Sequence, residues 1–192
     1  MAESGAVIGA DGRARCPWGA GPADYTRYHD EEWGVRLHGD QALFERITLE
    51  SFQSGLSWLT ILRKRDAFRE AFAGFDPARV ARFDETDRAR LLADAGIVRN
   101  RAKIDAAIRN ARAALDLDRP LDELLWSFAP DHGDRKRPRA LADVPATTPE
   151  STAMAKELKR RGFVFVGPTT CYALMQATGM VDDHLADCWR AC

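Results

Sequence analysis

Apolar residues recur at intervals of three and four along most of this chain, the spacing of one helix face. Leu43, Phe44 and Ile47 follow Asp40, a good N-cap, and predict a helix over 41–54. The next positions on that stripe are Glu50, Ser51 and Ser54, so helical spacing turns Glu50 toward the interior. A helix rolled the other way would bury Leu49 and Phe52 and leave Glu50 in water, and the pattern alone does not choose. Ser57 caps a further helix through Trp58, Leu59, Ile61 and Leu62, with a basic end at Arg63 to Arg65. Phe68, Phe72 and Phe75 continue in roughly helical register. Asp76-Pro77 joins an N-cap to an N1 proline ahead of Val80 and Phe83. Thr86 caps a helix that buries Leu91 and Leu92 and stops at Gly96. Asn100 caps another, on which Ile104, Ala107, Ile108, Ala111 and Leu115 line up, and a short helix runs from Leu121 to Phe128.

Residues 129–148 break this rhythm. Pro130 and Pro138 bracket a polar run, and Thr147 or Thr148 with Pro149 starts the next helix. That run reads as a solvated loop, with contact to a phosphate backbone as the alternative. The following helix ends in Lys156, Lys159, Arg160 and Arg161 and is stopped by Gly162. A small apolar hairpin, Phe163 to Val166, leads to Gly167-Pro168, which opens a helix that Gly179 closes. Free N–H groups at Thr169 and Thr170, with the helix dipole behind them, make an anion site. The segment Tyr25 to Gly34 is dense in aromatics without a period and reads as irregular with short helical turns. Strand alternation is absent outside the hairpin, so the predicted fold class is all-α.

The chain has 192 residues, of which 45% are hydrophobic. That suits a single all-α domain over 16–192, of two closely packed helical lobes, after a loose tail at 1–15. The tail lacks the apolar centre of a secretory signal, and no apolar run is long enough for a bilayer. The expectation is a cytoplasmic monomer with no membrane contact. A formal net charge of -1 means that any nucleic-acid surface must be local. Four cysteines without an extracellular signal leave metal binding open.

Three constellations carry chemistry. His184 and Cys188 stand four apart, which on a helix places both on one face, and Cys16 with His29 would complete a four-ligand zinc set. Spacing alone favours the blander alternative of a buried structural cysteine and a surface histidine. The aromatic set Trp18, Tyr28, Trp33 and Trp58 with Glu50 suits a flat cationic ring, although taken alone the rings read first as core. Gly162, Gly167, Thr169 and Thr170 shape the helix-hairpin-helix clamp, a plausible grip on a DNA phosphate.

The strings RCPW, YHDEEWG, LESFQSGLSWLTIL, AGIVRNRAKI, LWSF, KRRGFVFVGPTTCYALMQATG and DDHLADC stand in one order from about Arg15 to Trp189. On them the chain resembles the 3-methyladenine DNA glycosylase I family, constitutive alkylation-repair enzymes of the helix-hairpin-helix superfamily. The resemblance implies a structural Zn2+ on Cys16, His29, His184 and Cys188. It implies a base pocket of Trp18, Tyr25, Tyr28, Trp33, Glu50 and Trp58, with Glu50 bonding the damaged adenine. It implies double-stranded DNA with alkylated bases as the partner, a clamp at Gly162 to Thr170, and Leu56 to Trp58 near the pocket mouth. Many members carry Asn at the position of Asp182, and Val181-Asp182-Asp183-His184 matches the setting of a catalytic Asp in other superfamily enzymes. Asp182 is therefore either a second catalytic group or a helix cap. The rival readings are a zinc-dependent hydrolase with an open metal position and a DNA-binding module without catalysis.

Overall fold

The computed structural model describes residues 5–131 and 136–191. Its centre is α2 (Asp40–Gln53), on which α3 (Trp58–Ala71), α6 (Arg101–Leu115), α7 (Leu121–Trp126) and α9 (Pro168–Ala177) pack. α1 (Ala23–Glu31) rests on α3, α4 (Pro77–Val80) and α5 (Glu85–Ala93) lie on α6, and α8 (Pro149–Arg160) pairs with α9. Because neighbours surround α2, both of its possible inner faces are buried. Leu43, Phe44, Ile47, Leu49 and Phe52 are fully enclosed, and Glu50 is 5% exposed. Phe52, Phe68, Phe72 and Phe75 stack beside them into an aromatic core.

Several helix starts follow the sequence. Ser57 accepts from the N–H of Thr60, Asp76 from Ala78, Asn100 from Lys103 and Thr148 from Ser151. Two differ. Asp40 is already helical behind Gly39, and its carboxylate instead accepts from the N–H of Asp122, tying α7 to α2 at 2.9 Å. Asp84, not Thr86, caps α5, through a reciprocal capping box with Asp87. Of the aromatic segment expected to be irregular, Tyr25 to Glu31 lies on the continuous helix α1, with Tyr28 and His29 buried, and residues 32–34 form a turn.

Residues 5–15 depart from a loose tail. Val7–Ile8 pairs antiparallel with Ala14–Arg15, and Arg15, 4% exposed, is held by the carboxylates of Asp11 and Asp30. The Phe163–Val166 segment forms no strand. The side chain of Asn110 on α6 satisfies it instead, donating to the Val164 carbonyl at 3.0 Å and accepting from its N–H at 2.8 Å. Phe163 and Val166 are buried while Phe165, at φ 56°, stands out. Of the polar run at 131–137, residues 132–135 lie outside the described residues. Among the described residues no helix is long and apolar enough to cross a membrane.

Candidate active site and metal centre

A 3-10 turn, Pro17–Ala20, carries Trp18 onto the face of α1 that presents Tyr25, Tyr28 and His29. Trp33 follows α1, Glu50 comes from α2 and Trp58 is the first residue of α3. These segments meet around one cavity of about 330 Å³, lined by Trp18, Tyr25, Tyr28, Trp33, Glu50 and Trp58. All six pocket residues read from the sequence are thus brought together. Ring centroids of Trp18 and Trp33 lie 4.9 Å apart, those of Trp18 and Tyr25 5.1 Å, and those of Tyr28 and Trp58 5.4 Å. The indole Nε1 of Trp58 is buried without a hydrogen-bond partner among the described residues. A buried orphan donor in a cavity wall is costly unless a bound group accepts from it.

Burial pushes the Glu50 carboxyl up to about 7, with Arg46 pulling the other way. A cationic ligand beside it would draw the group into its anionic form. A wall of rings around one carboxylate suits a flat, positively charged ring: stacking holds its faces and the carboxylate its charge or an exocyclic amine.

Asp183, Gln53 and Gln176 also line this cavity and were not singled out in the sequence. Asp183 accepts from the Tyr172 hydroxyl and from Gln176 Nε2. Its neighbour Asp182 is not among the lining residues. One oxygen of Asp182 accepts from the backbone N–H of His184 at 3.1 Å and lies 2.8 Å from His184 Nδ1, and the other meets Arg137 at 3.0 Å. Between two adjacent aspartates, only the turn after α9 decides which one reaches the cavity, and no sequence period operates there.

The chain ends converge beside this pocket. Cys16 Sγ, His29 and Cys188 Sγ offer ligand atoms within 4.8 Å of one another, all buried. His184 is not in that triplet, but its ring lies 5.1 Å from that of His29, edge to face. His184 Nε2 is buried without a hydrogen-bond partner among the described residues, while Nδ1 is engaged by Asp182. His29 is arranged in the same way, with Nδ1 2.8 Å from Asp30 and Nε2 3.5 Å from the Cys188 thiol. Carboxylates on the outer nitrogens fix imidazoles for metal ligation, and two thiols with two such rings make a zinc-type donor set. Gly34 allows this closeness, since a Cβ there would stand 2.8 Å from His184 Cε1. The expected helix through His184 and Cys188 is absent. His184 lies in non-helical chain just before a turn in which the Cys188 N–H donates to the Leu185 carbonyl at 2.8 Å, so turn geometry rather than helix periodicity brings them together.

A second groove of about 200 Å³ shares Glu50, Gln53 and Ala173 with the aromatic cavity and extends past Gly55 and Leu56 to Thr169 and Thr170. Gly167 is the N-cap of α9 and Pro168 its first helical residue, as the sequence predicts. Gly162, at φ 94°, lies at the other end of the hairpin. The cations beside it are not free: Arg160 and Arg161 both bind Glu157, and Arg161 also binds Asp118.

Among known proteins, the model of the methyladenine glycosylase family matches residues 18–191. The chain belongs to this family. It is 46% identical over 177 residues to DNA-3-methyladenine glycosylase 1 of Escherichia coli, covering 91% of this chain and 95% of that one. It superposes with a TM-score of 0.89 on a crystal structure of 3-methyladenine DNA glycosylase I at 45% identity, over 93% of this chain and 100% of the other. A further glycosylase I structure, of a variant in complex with 3-methyladenine, matches at a TM-score of 0.84 and 36% identity, over 91% and 96% of the two chains. For a methyladenine glycosylase, the aromatic cavity with its buried carboxylate is the feature whose chemistry fits the family's name.

Proposed function

We propose that this chain is a DNA repair glycosylase that flips 3-methyladenine out of alkylated double-stranded DNA and hydrolyses its N-glycosidic bond. The observation that carries this reading is the buried carboxylate of Glu50 in a cavity walled by five aromatic rings. Methylation at N3 leaves adenine cationic, so the base departs as a neutral molecule and needs no protonation. The protein's work is to find the base, take it from the stack and hold it while water adds to the sugar carbon. Glu50 supplies the negative charge, Trp58 Nε1 offers a donor, and Trp18, Tyr25, Tyr28 and Trp33 supply stacking faces. Extrusion costs about a few kcal/mol, which ring stacking and phosphate contacts offset. The groove beside Thr169 and Thr170, at the N-terminus of α9, is the site proposed for the DNA backbone. Water supplies the hydroxyl on the abasic sugar and releases one proton. Among the described residues no lysine lines the cavity, so no covalent amine intermediate and no strand cleavage are expected.

Cys16, His29, His184 and Cys188 fit a zinc ion, on the strength of the gathered thiols and the orphaned Nε2 of His184. A bound ion would supply cohesion between the two chain ends. With four protein ligands it would have no open position for a reacting water.

The decisive assay incubates the protein with methylated duplex DNA and reads released bases by chromatography. Free 3-methyladenine and intact strands bearing abasic sites are expected. No release above the spontaneous rate would overturn the proposal.

A further inference from the structure

Arg46 stands one helical turn before Glu50 on α2 and shares its buried face. It is 8% exposed, its Nη1 lies 3.3 Å from the Tyr28 hydroxyl, and its Cζ is 5.7 Å from the ring centroids of both Tyr28 and Trp58. The guanidinium is therefore packed behind two walls of the aromatic cavity. Burying a cation behind a pocket for a cationic ring is unfavourable unless the charge has another use.

Neutralising Glu32 does not explain it. Glu32 lies 3.8 Å from Arg46, yet both of its oxygens are already taken by Arg65 from α3. One carboxylate between two guanidiniums leaves about one positive charge uncompensated behind the pocket. Glu50, for its part, has no direct hydrogen bond or ion pair among the described residues, and Arg46 is the cation whose field opposes its burial.

We propose that Arg46 is a positioning residue that acts through Glu50: its buried guanidinium favours the anionic form of the pocket carboxylate before the cationic base arrives. The proposal rests on the base-excision reading. Each element around Glu50 bears on its charge. From α1, Tyr25 and Tyr28 face it, and Glu32, just past α1, meets Arg46 and takes Arg65 from α3. After α9, Asp183 lines the same cavity and is held by Tyr172. Lys103 of α6 spends its ammonium on the carbonyls of Phe52 and Ser54, and Asp122 of α7 binds at the opposite end of α2. Burial thus pushes the Glu50 proton affinity up, and Arg46 is the nearby cation that brings it down.

The test compares wild type with Arg46→Met, Arg46→Lys and Glu32→Gln. Single-turnover excision is followed from roughly pH 5 to 9. In parallel, the Glu50 carboxyl is titrated by carbon NMR, its signal assigned by loss in Glu50→Gln. In Arg46→Met both midpoints should move up by about one pH unit, with the rate recovering toward wild type at the alkaline end. Arg46→Lys should stay near the wild-type midpoint. Glu32→Gln should move it down, because Arg46 and Arg65 lose their shared counter-charge. A structural role alone would lower the rate equally at every pH and leave the NMR midpoint in place, and that result overturns the proposal. If Arg46→Met does not fold, Glu32→Gln decides: a downward shift supports the proposal, and an unchanged or raised midpoint overturns it. Failure of wild type to release base sinks the base-excision reading itself, while the NMR midpoints still report on Arg46.

Discussion

The thiol of Cys188 and Nε2 of His29 lie 3.5 Å apart, although 159 positions separate them in the chain. Around that contact sit Cys16 and His184, the latter with a buried, unpartnered Nε2. The purified protein is expected to carry one zinc per chain by elemental mass spectrometry. Stripping the metal with a strong chelator should lower the thermal midpoint by about 10 °C or more, as expected for an ion that would bind the folded state alone. Asp182→Ala and Asp30→Ala, which release the outer nitrogens of His184 and His29, should each weaken zinc retention by roughly 10–100-fold. Equal melting with and without chelator would remove the metal reading.

Gly34 tests the same centre sterically. Its φ is 77°, and a Cβ there would press on His184 at 2.8 Å. Gly34→Ala should cost about 1–3 kcal/mol and displace zinc. Gly39→Ala is the control: its φ is 98°, but a Cβ there meets nothing within 4 Å. It should cost backbone strain alone and keep its metal. Equal zinc content in the two variants would count against the packing argument.

Glu50 ties pH to stability. Its folded value is raised from 4.5 to about 7 by burial. Below the unfolded value both states hold the proton, and the contribution to stability is fully present. As pH rises toward 7 the unfolded chain gives up its proton first, so stability falls and reaches its low plateau above 7. The whole swing is about 3 kcal/mol. Glu50→Gln should abolish it, melting close to wild type at acid pH and above it at pH 8. Parallel melting curves for the two proteins across this range would show that Glu50 is not buried as described.

The two adjacent aspartates should separate in activity. Asp182→Asn keeps an oxygen for the backbone N–H of His184 and lies off the cavity wall, so base release should stay within about threefold of wild type. Glu50→Gln removes the carboxylate charge from the pocket and should lower release by roughly 100-fold or more. Asp183→Asn should fall between them, because it disturbs the bonds to Tyr172 and Gln176 in the cavity wall. A large loss in Asp182→Asn with zinc retained would restore Asp182 as a catalytic candidate.

Local rules were enough to write down much of this protein. Three- and four-residue spacing gave α2, α3 and α6, and the side chains of Ser57, Asp76, Asn100 and Thr148 marked where helices start, because a cap bonds within its own turn. The resemblance carried by the motif strings pointed to the family and implied the six residues that the structure places around one cavity. What only the folded chain decided lies where no period acts. The burial of both faces of α2 depends on how many helices surround it. The pairing of residues 7–8 with 14–15 depends on Arg15 finding Asp11 and Asp30. The choice of Asp183 over Asp182 for the cavity wall, and the meeting of Cys16 and His29 with Cys188, depend on turns whose direction is set by long-range packing. Short-range bonding is encoded residue by residue, whereas the path of a turn is settled by everything it packs against.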